Sequence, residues 1–268
     1  MVYSLVCYTF VGMKRIGSIV CMLLASLHLF ADERHLDEAY AFLGVPYVAG
    51  TLEREGTECL VIDTLGLDCT TFVELSVARW LAKCDGAPWE QHVQKLRYRG
   101  GVVDGYLSRL HYFTDWVAEN ERRGVWYEVA CDGAPCWKID TLTLSFMSGH
   151  VDNYPYLKAN AWAVDSMRAI EQRYTDYVVC YIGKEYLNLP PAQLPIQHGD
   201  ILALVTTIDG LDVTHLGFAV WQDGKLHLMH ASMKEKRVVI DKPTLYEYLK
   251  NRTSCPGVRV VRLRQSYL

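Results

Sequence analysis

The stretch "GLDCTTFVELSVARWLAK", Gly66 to Lys83, decides how the rest of the chain is read. Asp68 suits an N-cap, since its carboxylate can accept from the free amides that open a helix. Cys69, Phe72, Val73, Val77, Trp80 and Leu81 then recur at helical spacing and predict one apolar face. Cys69 therefore stands at the N-terminal rim of a buried stripe. The unpaired amides and the dipole at that rim favour thiolate over thiol. They also offer donors to an oxyanion formed beside the sulfur. A small core cysteine is the simpler reading of the same position, so a base has to be found before Cys69 counts as a nucleophile.

The search for a base leads to "THLGFAVWQDGKLHLMHAS", Thr214 to Ser232. Asp223-Gly224 is a strong two-residue turn signal, and the flanking residues alternate as strands do. With those two in the turn, Gln222 pairs with Lys225 and His230 stands opposite Gly217. His215 lies two residues from Gly217 on the same face, so His215 and His230 become diagonal neighbours within side-chain reach. His227 points to the other face. Gly217 and Ala219 leave room on the face of His215, and the helix carrying Cys69 is expected to pack there. The predicted constellation is Cys69 as nucleophile, His215 as base and His230 as the group that orients His215. No third ligand at recognisable spacing makes the histidines a metal pair, and no cofactor is expected.

Outward from these two segments, the chain divides by texture. "DERHLDEAYAFLG" predicts a helix ending at Gly44, and "VPYVAGTLE" a loop. "PWEQHVQKLRY" and "RLHYFTDWVAENERRG" predict two more helices. Strands are expected at 125–130 and near 139–146, then a helix over "YPYLKANAWAVDSMRAIEQRY". From Asp200 onward short strands follow one another, "DILALV", "THLGFAVW", "LHLMHA", "KRVVID" and "VRVVRL", with one helix near 243–250. Helices first and an antiparallel sheet later predict an α+β fold in a single domain, residues 32–268, with a helical elaboration at about 85–195.

Bulk properties narrow the function. With 268 residues, half of them apolar, the chain can bury one sizeable core. A net charge of −4 with no long basic run argues against nucleic acid as a partner. Lys14 and Arg15 followed by the apolar run Ile16 to Phe30 read as a signal peptide, residues 1–31, with Met13 as an alternative start. The run is short for a membrane span, so the expectation is export to the periplasm without stable membrane insertion. Among the cysteines beyond the leader, "CDGAPC", Cys131 to Cys136, either closes a small disulfide loop or leaves two buried thiols. A redox role built on that pair is disfavoured by its wide spacing.

In order along the chain, "DCTTFVE", "HGDILAL", "HLGFAV" and "HAS" resemble the motifs of the NlpC-type, papain-like cell-wall hydrolases. The resemblance implies a papain-like fold with Cys69 as nucleophile, His215 as base and His230 as third member, matching the hairpin argument. "LGVPYVAG" resembles the loop that places a tyrosine, here Tyr47, beside the cysteine. Thr70-Thr71 stands where the wider family has Ser-Gly. "LDCTTFVE", "RYRGG", "SRLHYFTDW" and "MSGH" resemble a narrower branch known as N-acetylmuramoyl-L-alanine amidases, which cut between muramic acid and the stem peptide. With no sugar-binding repeat or separate wall-anchoring module visible, soluble muropeptides rather than intact wall are the expected partners. Asp68, Thr70, Arg97, Arg99, Arg109, His111, Tyr112, Ser148 and His150 are the candidate substrate-binding residues, with arginines pairing stem-peptide carboxylates. A stem-peptide endopeptidase and a non-catalytic muropeptide-binding module are the alternatives.

Overall fold

The computed structural model describes residues 34–54 and 56–264; the expected leader lies outside the described residues. The chain opens with α1 (Arg34–Tyr40), followed after a long loop by α2 (Cys69–Asp85) and α3 (Trp89–Arg97). Next come α4 (Phe113–Arg122), β1 (Trp126–Glu128) and β2 (Trp137–Leu142). Short α5 (Phe146–Gly149) and α6 (Pro155–Ala159) lead to α7 (Ala161–Glu171) and β3 (Tyr177–Gly183). The last part holds β4 (Ile201–Val205), β5 (Val213–Gln222), β6 (Lys225–Ser232), β7 (Arg237–Ile240), α8 (Leu245–Leu249) and β8 (Gly257–Leu263).

All eight strands join one sheet in the order β2-β3-β8-β4-β5-β6-β7, with β1 added beside β8. Every ladder is antiparallel. This is the α+β arrangement expected, with one difference. "YVVCYIG", to which the sequence reading assigned no element, forms β3, and together with β1 and β2 it makes the middle section a contributor to the sheet as well as to the helices. Asn160 breaks the single helix expected over residues 154–174 into α6 and α7.

The sheet has a core on each face. On one, Phe72, Val73, Val77, Trp80 and Leu81 of α2 pack among Leu216, Phe218, Val220, Met229 and Ala231. On the other, Leu202, Leu204, Ala219 and Leu228 pack with Leu245 and Leu249 of α8. The amphipathic reading of α2 holds, but not the face it was expected to share with Gly217. A Cβ on Gly217 would meet the Met229 carbonyl at 2.6 Å, Leu228 at 2.8 Å and the His230 Cβ at 3.0 Å. Gly217 is thus required by its own cross-strand neighbours and not by the helix.

Cys131 is joined to Cys180 of β3, and Cys136 is a buried thiol. Neither reading of "CDGAPC" holds whole: the small loop does not close, and of the two buried thiols only Cys136 is one. Cys180 stands opposite Ile139 in the β2–β3 ladder, and the bridge ties the chain entering β2 to that ladder. No helix among the described residues is long and apolar enough to cross a membrane.

Two helices are fastened by a buried ion pair. Arg97 at the end of α3 donates from Nε to Glu74 of α2 at 2.8 Å and from Nη1 to the Val61 carbonyl, with both side chains 2% exposed. Removing one member leaves a charge stranded away from water. Arg97→Met should therefore lower the unfolding free energy by about 3–5 kcal/mol. The double variant Arg97→Met, Glu74→Leu should recover most of that loss in denaturant titrations, because neither charge remains.

Candidate active site

The first turn of α2 is built by a reciprocal cap. The Asp68 carboxylate accepts from the Thr71 amide at 2.8 Å, and the Thr71 hydroxyl accepts from the Asp68 amide at 2.9 Å. Thr71 does here what a glutamate usually does in such a box. The cap fixes Cys69 as the first helical residue, half-buried at the mouth of a cleft. Thr70, Leu110, His111, Tyr112, Thr214 and His215 line the same cleft.

The β5–β6 hairpin has the predicted register: Gln222 faces Lys225, Val220 faces His227 and Phe218 faces Met229. Nε2 of His215 lies 2.5 Å from Nδ1 of His230, with the rings perpendicular. His215 lines the cleft, and with Nε2 turned to His230 its Nδ1 is the ring nitrogen left over, while His230 is fully buried. His227 bonds the Asp241 carbonyl instead. Beyond His230, its Nε2 meets the Asp241 carboxylate at 3.1 Å. Asp241 escaped the sequence reading. It directly follows β7, the strand paired to β6 in which Val239 faces His230, so carrying the pairing one strand further would have found it.

The electrostatics correct one expectation. Burial, and then the Asp68 carboxylate, push the Cys69 thiol up to about 11, against the Leu216 amide, whose hydrogen bond favours thiolate. The sequence reading counted the helix end, worth about 0.3–1 kcal/mol, but could not see the burial or the orientation of Asp68. His215 is pushed down to about 3 by burial first, then by His230 and Arg252. The resting pair is a neutral thiol and a neutral imidazole.

A second cleft shares Thr70, Leu110, His111, Tyr112 and Leu211 with the first, so the two form one groove that continues past Asp68, Arg97, Arg109 and Tyr154. Tyr47 sits close enough to Cys69 and Asp68 for both to raise its phenol pKa, though burial contributes most. The segment Arg109–Tyr112 was expected to be helical. Instead the Leu110 amide donates to the Arg97 carbonyl, α4 starts at Phe113, and His111 and Tyr112 become an extended groove wall. His111 donates from Nε2 to the Tyr106 carbonyl at 2.8 Å, and burial pushes its pKa down to about 3.

The arginines expected to hold substrate carboxylates are already engaged. Arg97 serves Glu74; Arg109 donates to the Leu52 carbonyl and to Glu53, both at 2.7 Å. Arg99 makes a two-pronged pair with Asp115 and does not line the groove. Ser148 and His150 also lie off it: the Ser148 amide donates to Glu171, and His150 is exposed and stacked on Phe146. The Tyr112 hydroxyl donates to Glu171 at 2.6 Å. Among the described residues no cluster of three or more histidine, cysteine or acidic side chains could hold a metal ion.

With the fold and site in view, comparisons place the chain. A model of the N-acetylmuramoyl-L-alanine amidase-like family matches residues 38–258, and the chain belongs to that family. A crystal structure of an N-acetylmuramoyl-L-alanine amidase from Bacteroides uniformis is 40% identical, with a TM-score of 0.80 over 86% of this chain and 97% of its own. A Bacteroides fragilis structure, provisionally named a xylanase, is 41% identical, with a TM-score of 0.78 over 85% of this chain and all of its own. A Legionella pneumophila protein shares the fold at 20% identity and a TM-score of 0.66. Comparison with curated proteins returns no match.

Two outcomes test these electrostatics. Iodoacetamide labelling of Cys69 in the free protein should be slow near neutral pH and climb well above it. Asp68→Asn should move the profile to lower pH, since a nearby negative charge no longer opposes the thiolate. The folded pKa values of His215 and His111 lie below that of an unfolded histidine, about 6.5. The unfolded chain therefore binds more protons between about 3 and that value, and stability should fall as pH drops through this window. His111→Asn should flatten the slope measured by denaturant titration across it.

Proposed function

We propose that the chain is a cysteine amidase of papain-like, NlpC type that cleaves the amide between N-acetylmuramic acid and L-alanine in soluble muropeptides. The observation that carries this reading is Cys69 on the first turn of α2 sharing a cleft with His215, itself backed by buried His230. The family and the name of the Bacteroides uniformis relative support the choice of bond.

In the proposed reaction the lactyl carbonyl enters the cleft between Cys69 and His215. The thiol proton passes to Nδ1 of His215 as the sulfur attacks, so a neutral resting pair reaches the ion pair only as the S–C bond forms. The carbonyl oxygen takes the negative charge and is stabilised by amides of the first turn of α2. The intermediate collapses with loss of the L-alanine nitrogen, which takes the proton from His215. Water, deprotonated by His215, then attacks the thioester and frees the lactyl carboxylate and the thiol.

A glycosidase reading attaches by name to one relative, and a pair of available carboxylates would be needed for it. The groove carboxylates have other work. Asp68 caps α2, Glu74 pairs with Arg97, Glu53 pairs with Arg109, and Asp212 accepts from the Thr114 amide and hydroxyl. The disulfide between Cys131 and Cys180 supports export to an oxidising compartment such as the periplasm.

Mass spectrometry of products from a defined muropeptide tests the bond. Free sugar and an intact stem peptide are expected; a dipeptide product would support an endopeptidase instead, and binding without turnover a carrier. Cys69→Ala should abolish turnover and leave the fold intact. His215→Ala should cost about 10²–10⁴-fold in kcat, the usual share of a positioned acid or base. His230→Ala should cost less, and His227→Ala little.

A further inference from the structure

We infer that Asp241 is a positioning residue that sets the tautomers of both histidines and so leaves Nδ1 of His215 bare in the cleft it shares with Cys69. The inference rests on the cysteine-hydrolase reading for its catalytic consequence, but its structural content does not.

The argument is one of proton parity along a buried chain. Nε2 of His230 and Oδ2 of Asp241 face each other at 3.1 Å, out of line for a hydrogen bond as they stand. Neither atom has a hydrogen-bond partner among the described residues. His230 is 1% and Asp241 9% exposed, so leaving both unpaired would cost the desolvation of each. A proton on Nε2 of His230, given toward the carboxylate, satisfies the two together after a small rotation.

That single placement decides the rest. A neutral His230 carrying its proton on Nε2 has a bare Nδ1. The 2.5 Å contact with Nε2 of His215 then requires the proton to sit on His215. A neutral His215 carrying its proton on Nε2 has a bare Nδ1, the acceptor that the thiol needs. Reversing the first choice reverses every later one: a proton on Nδ1 of His230 would make Nε2 of His215 the acceptor and put the proton of His215 on Nδ1. With two neutral imidazoles in series, nothing within the pair prefers one direction. The carboxylate at the far end supplies the preference.

The other groups around this chain do not duplicate that role. Tyr248 of α8 meets the His230 ring edge to face at 5.7 Å, and Arg252 lies over the Tyr248 ring at 4.0 Å. The Arg252 charge opposes protonation of His215. Arg252 helps keep His215 neutral; neither group chooses between the tautomers of the pair. Asp241 is also well placed to stabilise the imidazolium formed during turnover, through His230.

The test reads tautomers directly. In the free wild-type protein labelled with ¹⁵N-histidine, NMR near neutral pH should show His215 and His230 both protonated at Nε2 and bare at Nδ1. Protonation of either ring at Nδ1 overturns the inference, whatever the enzyme's substrate proves to be. In Asp241→Asn the preference should weaken, with Nδ1-protonated signals appearing at both rings, and kcat on a muropeptide should fall by roughly 10²-fold with KM nearly unchanged. Asp241→Glu should restore part of both. An Asp241→Asn protein that is folded, keeps wild-type tautomers and keeps kcat within a few-fold shows a merely structural aspartate. If no variant or wild type turns over any muropeptide, the amidase reading fails while the tautomer result still stands or falls on its own.

Discussion

The site depends on one backbone register. Asp223 and Gly224 both take positive φ, 50° and 72°, which is what a tight hairpin turn needs to follow the twist of its strands. That turn pins Gln222 to Lys225, and every later pairing of β5 with β6 follows. A slip of one residue would send His230 to the opposite face of the sheet, because side chains alternate along a strand. Gly217 guards the same register from inside, since a side chain there would strike the Met229 carbonyl and His230. The two histidines are therefore neighbours because of a turn and an absent methyl group, both remote from the chemistry.

The groove wall is held by a different force. Arg97, Arg109 and Arg259 are each at most 4% exposed, and each is matched to a carboxylate, Glu74, Glu53 and Glu128 respectively. Burying a charge is tolerable only when it is paired and hydrogen-bonded, so these contacts fix side chains in single orientations. Arg109 also draws the 52–53 loop to the groove through the Leu52 carbonyl. Arg97 and Arg109, which looked from sequence like cations open to substrate, are internal scaffolding for the extended segment that presents His111 and Tyr112.

Periodicity and turn chemistry made the α+β class, the cap of α2 and the histidine pair readable in advance, because each follows from neighbours a few residues apart. Other features escaped for reasons that can be named. β3 is a partly exposed strand of apolar and aromatic residues, "YVVCYIG", whose burial shows no alternation and whose place in the sheet is set by β2 and β8. The disulfide partner of Cys131 is 49 residues away and depends on that unseen strand. The state of the Cys69 thiol depends on burial, which spacing does not report. Asp241 needed a third strand to be placed, and the engagement of the arginines needed all their partners at once.

The segment Gly44–Val48 has a consequence for solubility. β7 is the last strand of the sheet, and such an edge offers unpaired backbone groups to any other chain. Here the Gly44 amide donates to the Val238 carbonyl, the Val238 amide to Val45 and the Tyr47 amide to Lys236. Pro46, which has no amide to offer, sits in the middle of this short pairing opposite Arg237. The same segment bonds on its other side to Leu67, the residue before the capping aspartate. One stretch of five residues thus covers the β7 edge of the sheet against edge-to-edge pairing and ties that cover to the start of α2. Pressure to keep the protein from self-associating and pressure to keep Tyr47 beside Cys69 fall on the same backbone, so neither can drift without the other.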